Sequence, residues 1–136
     1  MSMNDGQTSS HKRIDMDQRK ARGSIAEQIA VDYLIQQGYK VLERNWRCRS
    51  GEIDIVAATG PIIVIVEVRS RGKHSLTFGS PMESITPRKI KQVRDTAVVY
   101  LHRISKTDAR IRFDVIGIVM NSDATVDSLD HIIDAF

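Results

Sequence analysis

Carboxylates at two-residue spacing, set among β-branched residues, are the part of this chain best suited to chemistry. Glu52-Ile-Asp-Ile-Val-Ala alternates polar and apolar residues, and Ile62 to Val68 carries Glu67 two positions before Arg69. Period-two alternation marks β-strands and Thr59-Gly60-Pro61 between the runs marks a turn, so a β-hairpin is expected. On such strands Glu52 and Asp54 share one face, with Ile53 and Ile55 on the other, and Glu67 shares a face with Arg69. A turn centred on Gly60-Pro61 sets Asp54 opposite Glu67 and Glu52 opposite Arg69. Directly opposed side chains have Cβ atoms about 4.5–5.5 Å apart, close enough for two carboxylates to share one cation. Like charges so placed repel, and the register therefore implies either bound Mg²⁺ or a raised carboxylate pKa. The Glu52–Arg69 pair would be simple charge compensation.

These strands need layers to hold them. Ala26, Ile29, Ala30, Tyr33 and Leu34 recur at helical spacing from about Arg19 and stop at Gly38, which predicts an amphipathic helix. Glu27 lies only about 20° from Leu34 at 100° per residue, on the rim of that stripe. Alone it is a surface acid, but above two sheet carboxylates it becomes a third candidate. Tyr39 to Cys48 is expected to be a strand. Thr86 suits an N-cap and Pro87 the first position of a second helix, whose apolar stripe is Ile90, Val93, Ala97, Tyr100, Leu101 and Ile104. Ile111 to Met120 is expected to be a strand covered on both sides. Residues 71–85 form a Gly/Ser/Pro-containing loop long enough to have a function, and Ser128 to Phe136 is compatible with an edge strand or a short helix. The expected fold is an α/β mixed sheet flanked by helices, in the order α-β-β-β-α-β. Residues 1–18, polar and without periodicity, are expected to be a flexible tail ahead of one domain at 19–136.

With 136 residues, 41% hydrophobic and 27% charged, the composition is that of a globular domain. No apolar run is long enough to cross a bilayer, and the start lacks the apolar stretch of a secretory signal. A single Cys48 allows no intrachain disulfide, so a cytoplasmic location is expected. Lys+Arg number 20 against 17 Asp+Glu, a surplus of +3 too small to prove a polyanionic partner. Its clustering says more. Arg44, Arg47 and Arg49 fall in one stretch, Arg69, Arg71 and Lys73 in a second, and Arg88, Lys89, Lys91 and Arg94 in a third. Cations beside carboxylates suit a nucleic-acid enzyme, one set holding phosphates and the other a metal; the plain alternative is a solvated basic face.

The remaining candidates are weaker. His11, His74, His102 and His131 have no metal-ligand or triad spacing and are assigned to the surface. Cys48 between two arginines is a packing residue before it is a nucleophile. Trp46 either stacks on a base or anchors its strand. Asp114 either joins the acidic site or pairs with a cation such as Arg112, and the structural role is preferred. Neither Gly72 nor Gly79 belongs to a phosphate-binding glycine motif.

Gly51-Glu-Ile-Asp54, Val66-Glu-Val-Arg69 and Arg112-Phe-Asp-Val115 follow a helix carrying Gly23-Ser-Ile-Ala-Glu27, Ala30, Tyr33-Leu34, then Gly38-Tyr39 and Arg44-Asn45. Taken together over about residues 20–120, these strings resemble the bacterial YraN-like family. That family in turn resembles the PD-(D/E)xK nuclease fold, as seen in archaeal Holliday-junction resolvases. The resemblance implies Glu27 as the helix acid, Asp54 as the metal-binding Asp and Glu67 as the acid of the E-x-K element. These three would hold Mg²⁺ or Mn²⁺. Where the pattern has Lys, this chain has Arg69, which stays protonated and can supply only charge and hydrogen bonds. The expected function is binding of branched or single-stranded nucleic acid, DNA foremost, with metal-dependent phosphodiester cleavage using Glu27, Asp54, Glu67 and Arg69. Arg71, Lys73, Arg88, Lys89 and Arg94 would grip phosphates, and a homodimer is expected by analogy. The alternative is a non-catalytic binding or scaffold module that keeps the fold.

Overall fold

The computed structural model describes the backbone of residues 3–74 and 85–136, and the side chains of residues 19–74 and 85–136. The elements are α1 (Met3–Gln36), β1 (Lys40–Cys48), β2 (Gly51–Thr59), β3 (Ile62–Gly72), α2 (Pro87–Arg103), β4 (Arg110–Met120) and β5 (Val126–Ile132). They build an α/β fold around one five-stranded mixed sheet in the order β1-β2-β3-β4-β5. All pairs are antiparallel except β3 with β4, which run parallel and are joined through α2. The expected order is present, with one strand added at its end. The architecture is consistent with a restriction-endonuclease-like fold.

The sheet separates two cores. Ala26, Ala30 and Leu34 of α1 pack on Ile55, Ala57, Val64, Val66, Ile116 and Ile118. Val93, Ala97, Tyr100 and Leu101 of α2 pack on Ile53, Val56, Ile63, Ile65 and Phe113. Apolar burial on this scale dominates the stability of the domain. Residues 113–120 of β4 are all buried, as a strand covered on both sides must be. Helix α2 starts where Thr86 Oγ1 accepts the Lys89 N–H at 3.1 Å, with Pro87 in the first turn. Trp46 packs edge-on against Tyr100, ring centroids 5.1 Å apart, and so anchors β1 to the α2 layer.

Several expectations change. The helix expected from Arg19 runs from Met3, through most of the span read as a tail. The undecided C-terminal segment is a strand, β5, antiparallel to β4. Ile53 and Ile55 do not share a layer: Ile55 packs under α1 and Ile53 under α2, so strict alternation is lost at Asp54. Residues 75–84 of the loop considered for function lie outside the described residues, as does the His11 side chain. His131 is not a surface residue. Its side chain is 6% exposed, and its Nε2 lies 2.8 Å from Asp114 Oδ2.

Candidate functional site

The hairpin register is the one the turn implies, from Thr59–Ile62 up to Ile55–Val66. Beyond that pair the ladder ends. β2 stays with β1, where Trp46 pairs with Ile53 and Arg47 with Glu52, while β3 stays with β4 as far as Gly72. The sheet thus forks between Asp54 and Glu67, and their carboxylates take over hydrogen bonds that a longer ladder would have made. Val68 N–H donates to Asp54 Oδ2 at 2.8 Å, and Asp54 N–H donates to Glu67 Oε2 at 3.4 Å. The opposed pair is therefore brought together. The Glu52–Arg69 pair is not: Glu52 follows β1 away from β3 and meets Arg47 Nε at 3.5 Å.

Burial makes this pair costly to ionise. Glu67 is 1% exposed. Removal from water, then the adjacent Asp54 charge, pushes its pKa up to about 7, against the opposing pull of Lys89, the Asp54 N–H and Arg69. Burial likewise raises the Asp54 pKa, with Glu27 adding to it, although the Val68 N–H, Lys89 and Arg69 pull the other way. Two close carboxylates deficient in compensating charge are a donor set suited to a divalent cation. Mg²⁺ needs only one or two protein carboxylates when waters and substrate phosphates complete its octahedron. The residues present fit that arrangement.

Glu27 stands beside the pair. Its Oε1 accepts from Asn45 Nδ2 at 2.7 Å and from Arg44 at 3.4 Å. Asn45 reaches it by adopting a left-handed backbone (φ 50°), a conformation Asn tolerates better than most residues. Among the described residues, no three His, Cys, Asp or Glu side chains are gathered as metal ligands. Two of the three expected acids are thus assembled, with the third held at the rim by β1.

The cations divide by position. Lys89, in the first turn of α2, places Nζ 3.5 Å from Glu67 Oε1. Arg69 and Arg71 each bury Nε without a hydrogen-bond partner among the described residues. Arg88 lines an open groove with Thr86, Lys89 and Gln92. Gly51 lets β2 approach this helix, because a Cβ there would come within 2.8 Å of Gln92 Nε2, and its φ of +150° is strained for other residues. Lys73 pairs with Asp127 at 3.3 Å. Arg94 stacks over Phe113 at 4.9 Å and Phe136 at 5.8 Å, on the α2 layer.

Asp114 takes no part in the acidic pair. Fully buried, it accepts two bonds from Arg112 (2.9 and 2.8 Å) and the Asp134 N–H at 3.1 Å, and bonds His131. His131 Nδ1 in turn lies 3.1 Å from the Tyr33 hydroxyl, tying β5 to α1. Neither the Asn45–Glu27 contact nor the burial of His131 has a local signal in the sequence. The Thr86-Pro87 start was the one available signal for Lys89, since it fixes that residue in the first turn.

Comparison with known proteins agrees with this fold-wide pattern. A family model described as "Uncharacterised protein family UPF0102" matches residues 26–118. A UPF0102 protein of Pelobacter propionicus is 41% identical over 134 residues, covering 97% of this chain and 94% of the relative. One from Geobacter metallireducens is 44% identical over 117 residues, covering 86% and 93%. One from Persephonella marina reaches 46% over 101 residues, covering 74% and 85%. The matched span begins in α1 just before Glu27 and ends in β4 after Asp114, so it contains Glu27, Asp54, Glu67 and Asp114, and the chain belongs to the UPF0102, or YraN-like, family.

Proposed function

We propose that this protein binds nucleic acid, DNA foremost, and hydrolyses phosphodiester bonds with Mg²⁺ or Mn²⁺ at Asp54 and Glu67. The observation that carries the reading is the buried carboxylate pair in the sheet fork, with Glu67 raised to about 7. A divalent ion held there would activate a water and neutralise charge on the leaving oxygen. Glu27 would orient that shell from the rim. Arg69 would stabilise charge developing on the phosphoryl oxygens, and Lys89, which favours the ionised form of Glu67, would face the incoming phosphate. Arg71, Arg88 and the groove at the start of α2 would carry neighbouring phosphates, whereas Lys73 and Arg94 would first have to leave Asp127 and the Phe113 ring. By analogy with junction-cutting enzymes, the acting form would be a homodimer.

The test is a cleavage and gel-shift panel over duplex, single-stranded, flap and four-way-junction DNA, with Mn²⁺ or Mg²⁺ against EDTA. Metal-dependent cutting that Asp54→Asn abolishes supports the reading. Binding should weaken steeply with salt as phosphate counterions are displaced. No binding to any of these substrates at low salt would reject it. A second reading, a binding or scaffold module without cleavage, is favoured by Arg69 in the place of a tunable Lys and by the Lys89–Glu67 ion pair, which offsets part of the acidic charge without metal. Arg69→Lys separates the two. A gain of cleavage identifies a weakened nuclease site, and inactivity of both forms identifies a scaffold.

A further inference from the structure

Away from the acidic pair, the carboxyl ends of β3 and β4 frame a cavity of about 410 Å³ on the α1 side of the sheet. Arg22 and Ile25 of α1, Gly72 and His74 at the end of β3, Met120 of β4 and Ser122 of the following turn are among its lining residues. None of its described lining residues is acidic. Ligands of open α/β sheets gather at this end of parallel strands.

Two details bear on what it could hold. Arg22 buries Nε with no hydrogen-bond partner among the described residues, a costly arrangement for a charged donor unless a ligand supplies the acceptor. Gly72 leaves room for both the guanidinium and the imidazole. A Cβ at that position would lie 2.9 Å from the His74 ring and 3.3 Å from an Arg22 terminal nitrogen. Arg and His side by side suit phosphate oxygens, and the Arg fork does so with directional bonds. Ile25 and Met120 form an apolar wall beside them, fitted to a sugar or base more than to a bare ion.

We infer that this cavity is a second site, taking the phosphate of a nucleotide unit with its sugar and base against Ile25 and Met120. It deepens the nucleic-acid reading and rests on it for the source of the nucleotide. Gly72 is five residues beyond Glu67, about 17 Å along an extended strand, and the Glu67 side chain faces the other layer. A single strand running from the carboxyl end of β3 back around the fork to the α2 layer would then place one unit here and another, a few nucleotides away, at the carboxylate pair.

Calorimetric titration with thymidine monophosphate and with inorganic phosphate, in EDTA, tests the cavity without metal. His74 ring resonances, followed by NMR, report where the ligand sits. Saturable binding of the nucleotide that shifts the His74 signals, weakens about tenfold in Arg22→Gln and survives Asp54→Asn supports the site. Recovery of part of the affinity in Arg22→Lys supports it further. Undetectable nucleotide binding, binding unchanged in Arg22→Gln, or phosphate bound as tightly as the nucleotide overturns it. Loss of nucleotide binding in Asp54→Asn also overturns it, by placing the ligand at the acidic pair, and leaves the nucleic-acid reading standing. The converse result, mononucleotide bound through Arg22 but no oligonucleotide bound, removes the nucleic-acid reading and keeps the cavity as a nucleotide site.

Discussion

Lys89 and Arg69 both act on the same two carboxylates, yet they differ in what they can yield. Lys89 Nζ sits 3.5 Å from Glu67 Oε1, on a flexible stem that can swing away when another cation arrives. It therefore competes with a divalent ion for Glu67. Lys89→Gln should tighten Mn²⁺ binding several-fold at pH 8, visible as a larger rise of the thermal midpoint on adding metal, whereas Asp54→Asn should abolish that rise. A smaller Mn²⁺ response in Lys89→Gln would show that the lysine assembles the pair and does not oppose the metal. Glu67→Gln addresses the acid itself. With the carboxylate 1% exposed and its pKa near 7, ionisation above neutrality is a load on the fold, so the amide should raise the metal-free midpoint at pH 8 by about 5 °C. Any cleavage should at the same time fall by orders of magnitude at unchanged substrate affinity, because the lost interaction belongs to the transition state. A variant that cleaved as fast as wild type would move the activity to another site.

At the scale of elements, the fork between β2 and β3 and the network behind β5 decide what sequence alone could show. Thr59-Gly60-Pro61 fixed the hairpin register, and with it the meeting of Asp54 and Glu67, because a turn sets register locally. The fork itself was hidden, since period-two reasoning assumes an unbroken pleat. At the same level of the sheet Asn45, between Arg44 and Trp46 on the neighbouring strand, turns left-handed and meets Glu27. β5 was hidden for a related reason: Val126–Ile132 is half polar, and beside its ladder with β4 it is tied in by His131 bonding to an Asp on another strand and a Tyr on α1. Such long-range partners leave no local pattern. The network also favours the ionised form of Asp114 in the folded state. Burial alone would raise the Asp114 pKa, but Arg112, the Asp134 N–H and His131 together hold it below the usual carboxylate range. Asp114→Asn would leave Arg112 and His131 without their anion and should cost on the order of 3–5 kcal/mol in urea unfolding, with β5 amides losing exchange protection first. A loss below about 1 kcal/mol would show that β5 is held by its backbone ladder and apolar contacts instead.

The two acidic centres pull the stability of the whole molecule in opposite directions with pH. Asp114, depressed when folded, contributes stability that is present above its ordinary value of 3.8 and is lost as pH falls through the lower folded value. Glu67, raised from 4.5 to about 7, behaves the other way: the unfolded chain releases its proton first, so stability is full below 4.5 and declines as pH rises through 7. Asp54, also raised, adds to that decline. Metal-free urea unfolding should therefore show a maximum near pH 4–5 and a fall toward pH 8. Saturating Mn²⁺ binds the ionised carboxylates in preference to the protonated ones, so it should do little at pH 5 and restore most of the lost stability at pH 8. In Glu67→Gln the alkaline fall should shrink and the Mn²⁺ response disappear together, because both come from one buried carboxylate beside another. A wild-type profile flat from pH 5 to 8, or a Mn²⁺ effect equal at the two ends, would show that the fork is solvated enough to ionise freely and holds no metal through this pair.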